Sequence, residues 1–126
     1  MDVRFDIDKE RKIITGTVSG ALHRDILLNL LAQLRIISAN NTGCNLLFDL
    51  RQTSLESSQM DMYRVIDVVS AIIDLKDQLG EKIAHVVPDR EERVEHANDI
   101  GSVAMIRGLN YKVFTDIVPA WEWLQE

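Results

Sequence analysis

The chain has one cysteine, Cys44, so no internal disulfide can form and the fold must stand on its hydrophobic core. Prolines number only 2, glycines 6, and aromatic residues make up 6%, which excludes collagen-like and low-complexity chains. Charge interrupts every apolar stretch before about 18 residues, so no membrane-spanning helix is expected. The opening MDVRFDIDKERK turns polar within a few residues and lacks the apolar core of a secretory signal. Positive charge is the scarcer sign: 14 Lys and Arg stand against 20 Asp and Glu, for a formal net charge of −6. A pI near 5.0 repels phosphate backbones and anionic membranes alike. No local basic patch reverses that sign, because Arg90 and Arg93 are interleaved with Asp89, Glu91, Glu92 and Glu95. Neither nucleic acid nor membrane is therefore expected as a partner, and a lone thiol suits the reducing cytoplasm.

What is present is a 46% hydrophobic content spread over 126 residues, read as one domain, 1–126. A chain of this size buries roughly two-thirds of the surface exposed when it is unfolded, enough for a core without a structural metal. Val3, Phe5 and Ile7 alternate with polar residues, a charged turn follows over Asp8 to Arg11, and Ile13 to Val18 is β-branched, which predicts an opening hairpin ended by Ser19-Gly20. From about Arg24 to Ser38, Leu27, Leu30, Leu31, Leu34 and Ile37 recur at helical spacing. Asn40 to Gly43 forms a stop, and Leu46-Leu47-Phe48 reads as a strand covered on both faces.

A polar segment from Asp49 to Gln59 carries Thr53, Ser54, Ser57 and Ser58, and a second helix is predicted from about Met60 to Leu79, closed by Gly80. Its apolar stripe is wider than one core-facing side requires. A strand over Ile83 to Val87 precedes Pro88-Asp89, predicted to cap a third helix whose narrow face is Val94, Ala97, Gly101 and Ala104. A short strand, Tyr111 to Phe114, then leads to a last helix capped by Thr115 or Asp116. The alternation defines an α/β fold.

Several segments together resemble the SpoIIAA-like branch of the STAS fold, the group related to sulfate-transporter and anti-sigma-factor-antagonist domains. They are Gly16 to Leu22 followed by Asp25, the run Leu46-Leu47-Phe48-Asp49-Leu50 with its hydroxyl-rich sequel, and Phe114-Thr115-Asp116 with Ala120 and Trp123-Leu124. The resemblance implies a mixed β-sheet opened by an N-terminal hairpin, with helices mainly on one face. It also implies a domain that acts by binding, as a regulatory or protein-interaction module. In anti-sigma-factor antagonists a Ser at the start of the helix after this strand is phosphorylated by a partner kinase, and Ser57 and Ser58 occupy the comparable place. Gln59 and Met60 stand where that family has Gly and Leu, and the spacing from Asp49 is one residue shorter. A helix N-terminus accommodates a phosphate, but Ser there also serves as an ordinary N-cap, the preferred expectation.

The remaining candidates have ordinary alternatives. Glu92, His96 and Asp99 stand at i, i+4 and i+7, a ligand-like spacing, yet such mixtures usually form a solvated face, so neither metal nor cofactor is expected. His85 shares a strand face with Ile83 and Val87 and reads as a buried or half-buried, hydrogen-bonded histidine; His23 reads as exposed or as a cap. Cys44 reads as a small hydrophobe. Trp121, Trp123 and Tyr111 suit either core packing or a pocket wall. Helical residues two apart point about 200° apart, so one of Trp121 and Trp123 is expected to be the more exposed.

No catalytic motif is present. The leading expectation is a non-catalytic module presenting a loop from Arg51 to Ser58, with Arg51, Thr53 and Ser54, together with Met62, Tyr63, Ile66 and Trp121, to a protein partner or to a second copy in a homodimer. The alternative is a small-molecule carrier or sensor with a pocket between sheet and helices, where Arg51 or Arg64 holds the polar end of an apolar or acidic ligand. Third is an enzyme assembling Asp49, His85 and Cys44.

Overall fold

The structure is a computed structural model that describes residues 2–55 and 62–126, with the backbone alone for 62–65. Its elements run β1 (Asp2–Asp8), β2 (Ile13–Ala21), α1 (Arg24–Asn40), β3 (Cys44–Ser54), α2 (Met62–Asp74), β4 (Leu79–Val86), α3 (Glu91–Ile106), β5 (Asn110–Phe114) and α4 (Ile117–Leu124). The strands lie side by side in chain order, β1 antiparallel to β2 and the other neighbours parallel. The hairpin turn is held by the Asp8 carboxylate, which accepts from the Arg11 backbone N–H at 2.9 Å and from its guanidinium at 3.1 Å. Lys12 completes the turn at a φ of 56°. No helix among the described residues is long and apolar enough to cross a membrane.

Parallel strands laid down in sequence and joined through helices leave those helices on one face when each crossover takes the usual right hand. The packing agrees. Ile14, Val18, Leu46, Phe48, Ile83 and Tyr111 meet Ile26, Leu30 and Leu34 of α1, Val69 and Ile72 of α2, and Ile100 and Ala104 of α3. On the opposite face Ile13, Leu47, Ala84 and Val86 are covered by Ala120 and Leu124 of α4. β3 is therefore sandwiched, which explains its unbroken burial from Leu46 to Leu50. The N-cap of α4 is Asp116, whose carboxylate accepts from Val118 N–H at 3.1 Å.

Four local features differ from the sequence expectations. β3 continues to Ser54, so Arg51, Thr53 and Ser54 belong to a strand and not to a loop; Gln52, Thr53 and Ser54 pair with Ser19, Gly20 and Ala21 past a bulge. α2 stops at Asp74, and Leu79 and Gly80 open β4. Between them the N–H groups of Leu75, Lys76 and Gln78 donate to carbonyls three residues back, a tightened turn. The N-cap of α3 is Arg90, with no side-chain cap, and its buried face includes Arg93 and Ile100 where Val94 was expected. Neither Trp121 nor Trp123 is an exposed indole: both are half-buried and pack against the second core.

Candidate functional site

A largely apolar cavity of about 80 Å³ lies on the three-helix face, toward the ends of the parallel strands from which α1 and α3 depart. Its floor is Phe48 and Leu50 of β3, His85 of β4 and Tyr111 of β5. Leu27, Leu30 and Leu31 of α1, Val68 and Ile72 of α2, and Ala97 and Ile100 of α3 form the walls. These arise from helical spacing on three amphipathic helices that tilt their apolar sides onto the sheet. Among the described residues the polar groups that reach the cavity are few: Arg93 and His96 from the first turns of α3, His85, Tyr111, and His23 at the start of α1. All 3 histidines of the chain therefore line one space.

Arg93 is only 5% exposed. Its Nη1 donates to the Thr53 carbonyl at 2.8 Å and its Nη2 to Thr53 Oγ1 at 2.7 Å, while that hydroxyl donates to the Leu50 carbonyl at 2.6 Å. Burial, and then the charge of Arg90, weaken its hold on the proton against an opposing pull from the Glu92 carboxylate, and a guanidinium stays protonated in proteins. Among the described residues no carboxylate pairs with it.

His85 Nδ1 and the Tyr111 hydroxyl share a hydrogen bond of 2.7 Å, with the rings edge to face. Burial, aided by the charges of His96 and Arg93, lowers the His85 pKa to about 3, so the imidazole is neutral at physiological pH. Burial likewise pushes the Tyr111 phenol upward. His96, half-buried, is lowered by burial and by Arg93 against an opposing pull from Asp99. His23 caps α1, its Nδ1 accepting from Ile26 N–H at 3.4 Å.

The sequence candidates distribute unevenly around this cavity. Arg51 does not reach it: its Nε and Nη2 each donate to the Asp49 carboxylate at 2.9 Å, and Asp49 alternates with Phe48 and Leu50 onto the opposite face. Cys44 pairs with Leu79 at the other end of β3 and is buried in the core, so Asp49, His85 and Cys44 are not brought together. Thr53 is turned inward to Arg93, and Ser54 is exposed. Ile66 is 37% exposed, whereas Trp121 packs on the second core. Glu92 and Asp99 are exposed while His96 lines the cavity, and the described residues contain no group of side chains placed to hold a metal ion. Ser57 and Ser58 lie outside the described residues, as do the side chains of Met62, Tyr63 and Arg64. The residue that sequence reasoning missed is Arg93, the one charge on the face shared by Ala97, Ile100 and Ala104; the same helical spacing carries that signal.

No protein-family model matches the sequence, and no curated protein does. Among solved structures, the chain is similar to an uncharacterised protein of the DUF3478 family with a SpoIIAA-like fold, from Shewanella loihica PV-4. The match has a TM-score of 0.63 at 13% identity and covers 98% of this chain and 92% of that one. The chain thus has a SpoIIAA-like fold, with the hairpin-opened mixed sheet that the sequence resemblance implied.

Proposed function

We propose that this chain works by binding, without covalent chemistry of its own, and that it takes a small, mostly apolar molecule into the cavity beneath α1, α2 and α3. The observation that carries this reading is that a buried guanidinium and three imidazoles line one cavity whose other described walls are, apart from Tyr111, apolar. Apolar walls with a few placed polar groups are how small-molecule sites are built. A screen of small apolar compounds by thermal unfolding tests it. A ligand at 100 times its Kd should raise stability by about 2.7 kcal/mol, and Ala97→Met, which fills the cavity from α3, should abolish the response. A folded protein that answers to no compound in the screen would refute the proposal.

Ile66 favours a second reading, that of a regulatory module contacting a protein or a second copy, because it faces outward from the helix whose Val68 and Ile72 line the cavity. Binding in the cavity would then be reported through α2.

A further inference from the structure

We propose that the ligand is a small monocarboxylate whose head group pairs with Arg93 and whose short apolar chain lies against Leu30, Phe48, Ile72 and Ile100. The inference rests on the cavity being the binding site and goes further by naming the chemical class it takes. Removing a cation from water without an anion beside it is expensive, and dipoles such as the Thr53 carbonyl and hydroxyl offset only part of that. Among the described residues Thr53 engages two of the five N–H donors that a guanidinium carries. The fork that remains matches the two oxygens of one carboxylate.

Size selects the rest of the molecule. The cavity, about 80 Å³, has roughly half the volume of the ~150 Å³ apolar cavity that binds benzene. It therefore suits a chain of a few carbons and not a long acyl tail. His85 engages Tyr111 through its Nδ1 and His23 engages the first turn of α1 through its Nδ1, so among the described lining residues Arg93 is the one fixed positive charge. His96, on the same helix as Arg93, adds a second donor at the head-group end. Among the described residues, the lining contributed by α2 is Val68 and Ile72, which carry no charge.

The experiment is calorimetric titration of the full chain with sodium salts of straight-chain monocarboxylates from acetate to octanoate, beside the primary alcohols and alkylphosphonates of equal length. Acids of intermediate length should bind best, with alcohols about thirtyfold weaker, the factor expected for losing a charge-assisted hydrogen bond. Arg93→Met, which removes the charge and keeps an apolar stem, should bring acid and alcohol to equal affinity. Alcohols binding as tightly as acids to the wild type would overturn the carboxylate assignment while leaving the cavity reading intact. Tighter binding of the phosphonates would overturn the assignment in favour of a phosphoryl head group. If no acid, alcohol or phosphonate binds, the inference and the cavity reading fail together. Should Arg93→Met not fold, the wild-type comparison of acids with alcohols decides alone.

Discussion

Asp49 is a buried carboxylate, and its state depends on one neighbour. Burial pushes its pKa up, but the hydrogen bonds and charge of Arg51 more than offset this and hold it below the usual range. Arg51→Ala should therefore destabilise the protein at pH 7 by about 1 kcal/mol, the low end for an orphaned buried acceptor because the Arg51 side chain is itself 36% exposed. Since the folded carboxyl is the stronger acid, the pair's contribution is full above the unfolded value near 4 and is lost as pH falls through the folded one. Urea denaturation should show the wild-type advantage shrinking between pH 5 and pH 3, and Asp49→Asn in the Arg51→Ala background should recover most of the loss. The two residues stand at i and i+2, the spacing of one strand face, so their pairing was legible once β3 was carried past Leu50. A loop over 51–54 would leave Arg51 free to hold a ligand; the strand turns it onto Asp49 instead. Arg93 was overlooked for a related reason: among neighbouring acids it reads as solvated charge, and only its place on the face of Ala97 and Ile100 turns it inward.

At the scale of elements, the stretch from Leu75 to Gly80 shows where periodicity loses its power to discriminate. Leu75 and Leu79 extend the spacing of Val68 and Ile72, and both are buried, yet one sits in a turn and the other opens β4. The core asks for a leucine at each place whichever backbone delivers it, so spacing cannot mark the helix end. Gly80 marks it, through close packing. A Cβ there would lie 2.5 Å from Asn45 Oδ1 and 2.9 Å from Asn45 N. That same Oδ1 accepts from Lys82 N–H at 3.0 Å, and the Asn45 amide donates to the Leu124 carbonyl at 3.0 Å. Asn45 thus bridges the bulge between β3 and β4 and ties down the end of α4. Gly80→Ala should cost about 1–3 kcal/mol by forcing that side chain away. Asn45→Ala should cost a similar amount, and the double variant less than the sum, because the clash and the bond it breaks share one atom. Chemical denaturation of the three variants measures this coupling; strict additivity would show that Gly80 does not act through Asn45.

At the scale of the whole molecule, the strand order could be read from the alternation of strands and helices, because consecutive right-handed crossovers leave few alternatives. The cavity could not, since it exists only where three helices fail to close over the sheet. Its titratable lining makes a prediction about the fold as a whole. His85 has an ordinary pKa of 6.5 and is lowered to about 3 in the folded protein. Below pH 6.5 the unfolded chain therefore binds a proton that the folded chain refuses, so folding loses about 1.4 kcal/mol for each pH unit of acidification until the folded value is approached. His96, shifted in the same direction, steepens the slope. His85→Gln retains a partner for the Tyr111 hydroxyl but cannot titrate, so it should be less stable than wild type at pH 8 yet lose about one proton's worth of slope between pH 6.5 and 4.5. Stability measured across that interval decides the matter: equal slopes for wild type and His85→Gln would mean that the imidazole is reached by water and protonated in the native state, contrary to its burial in the structure.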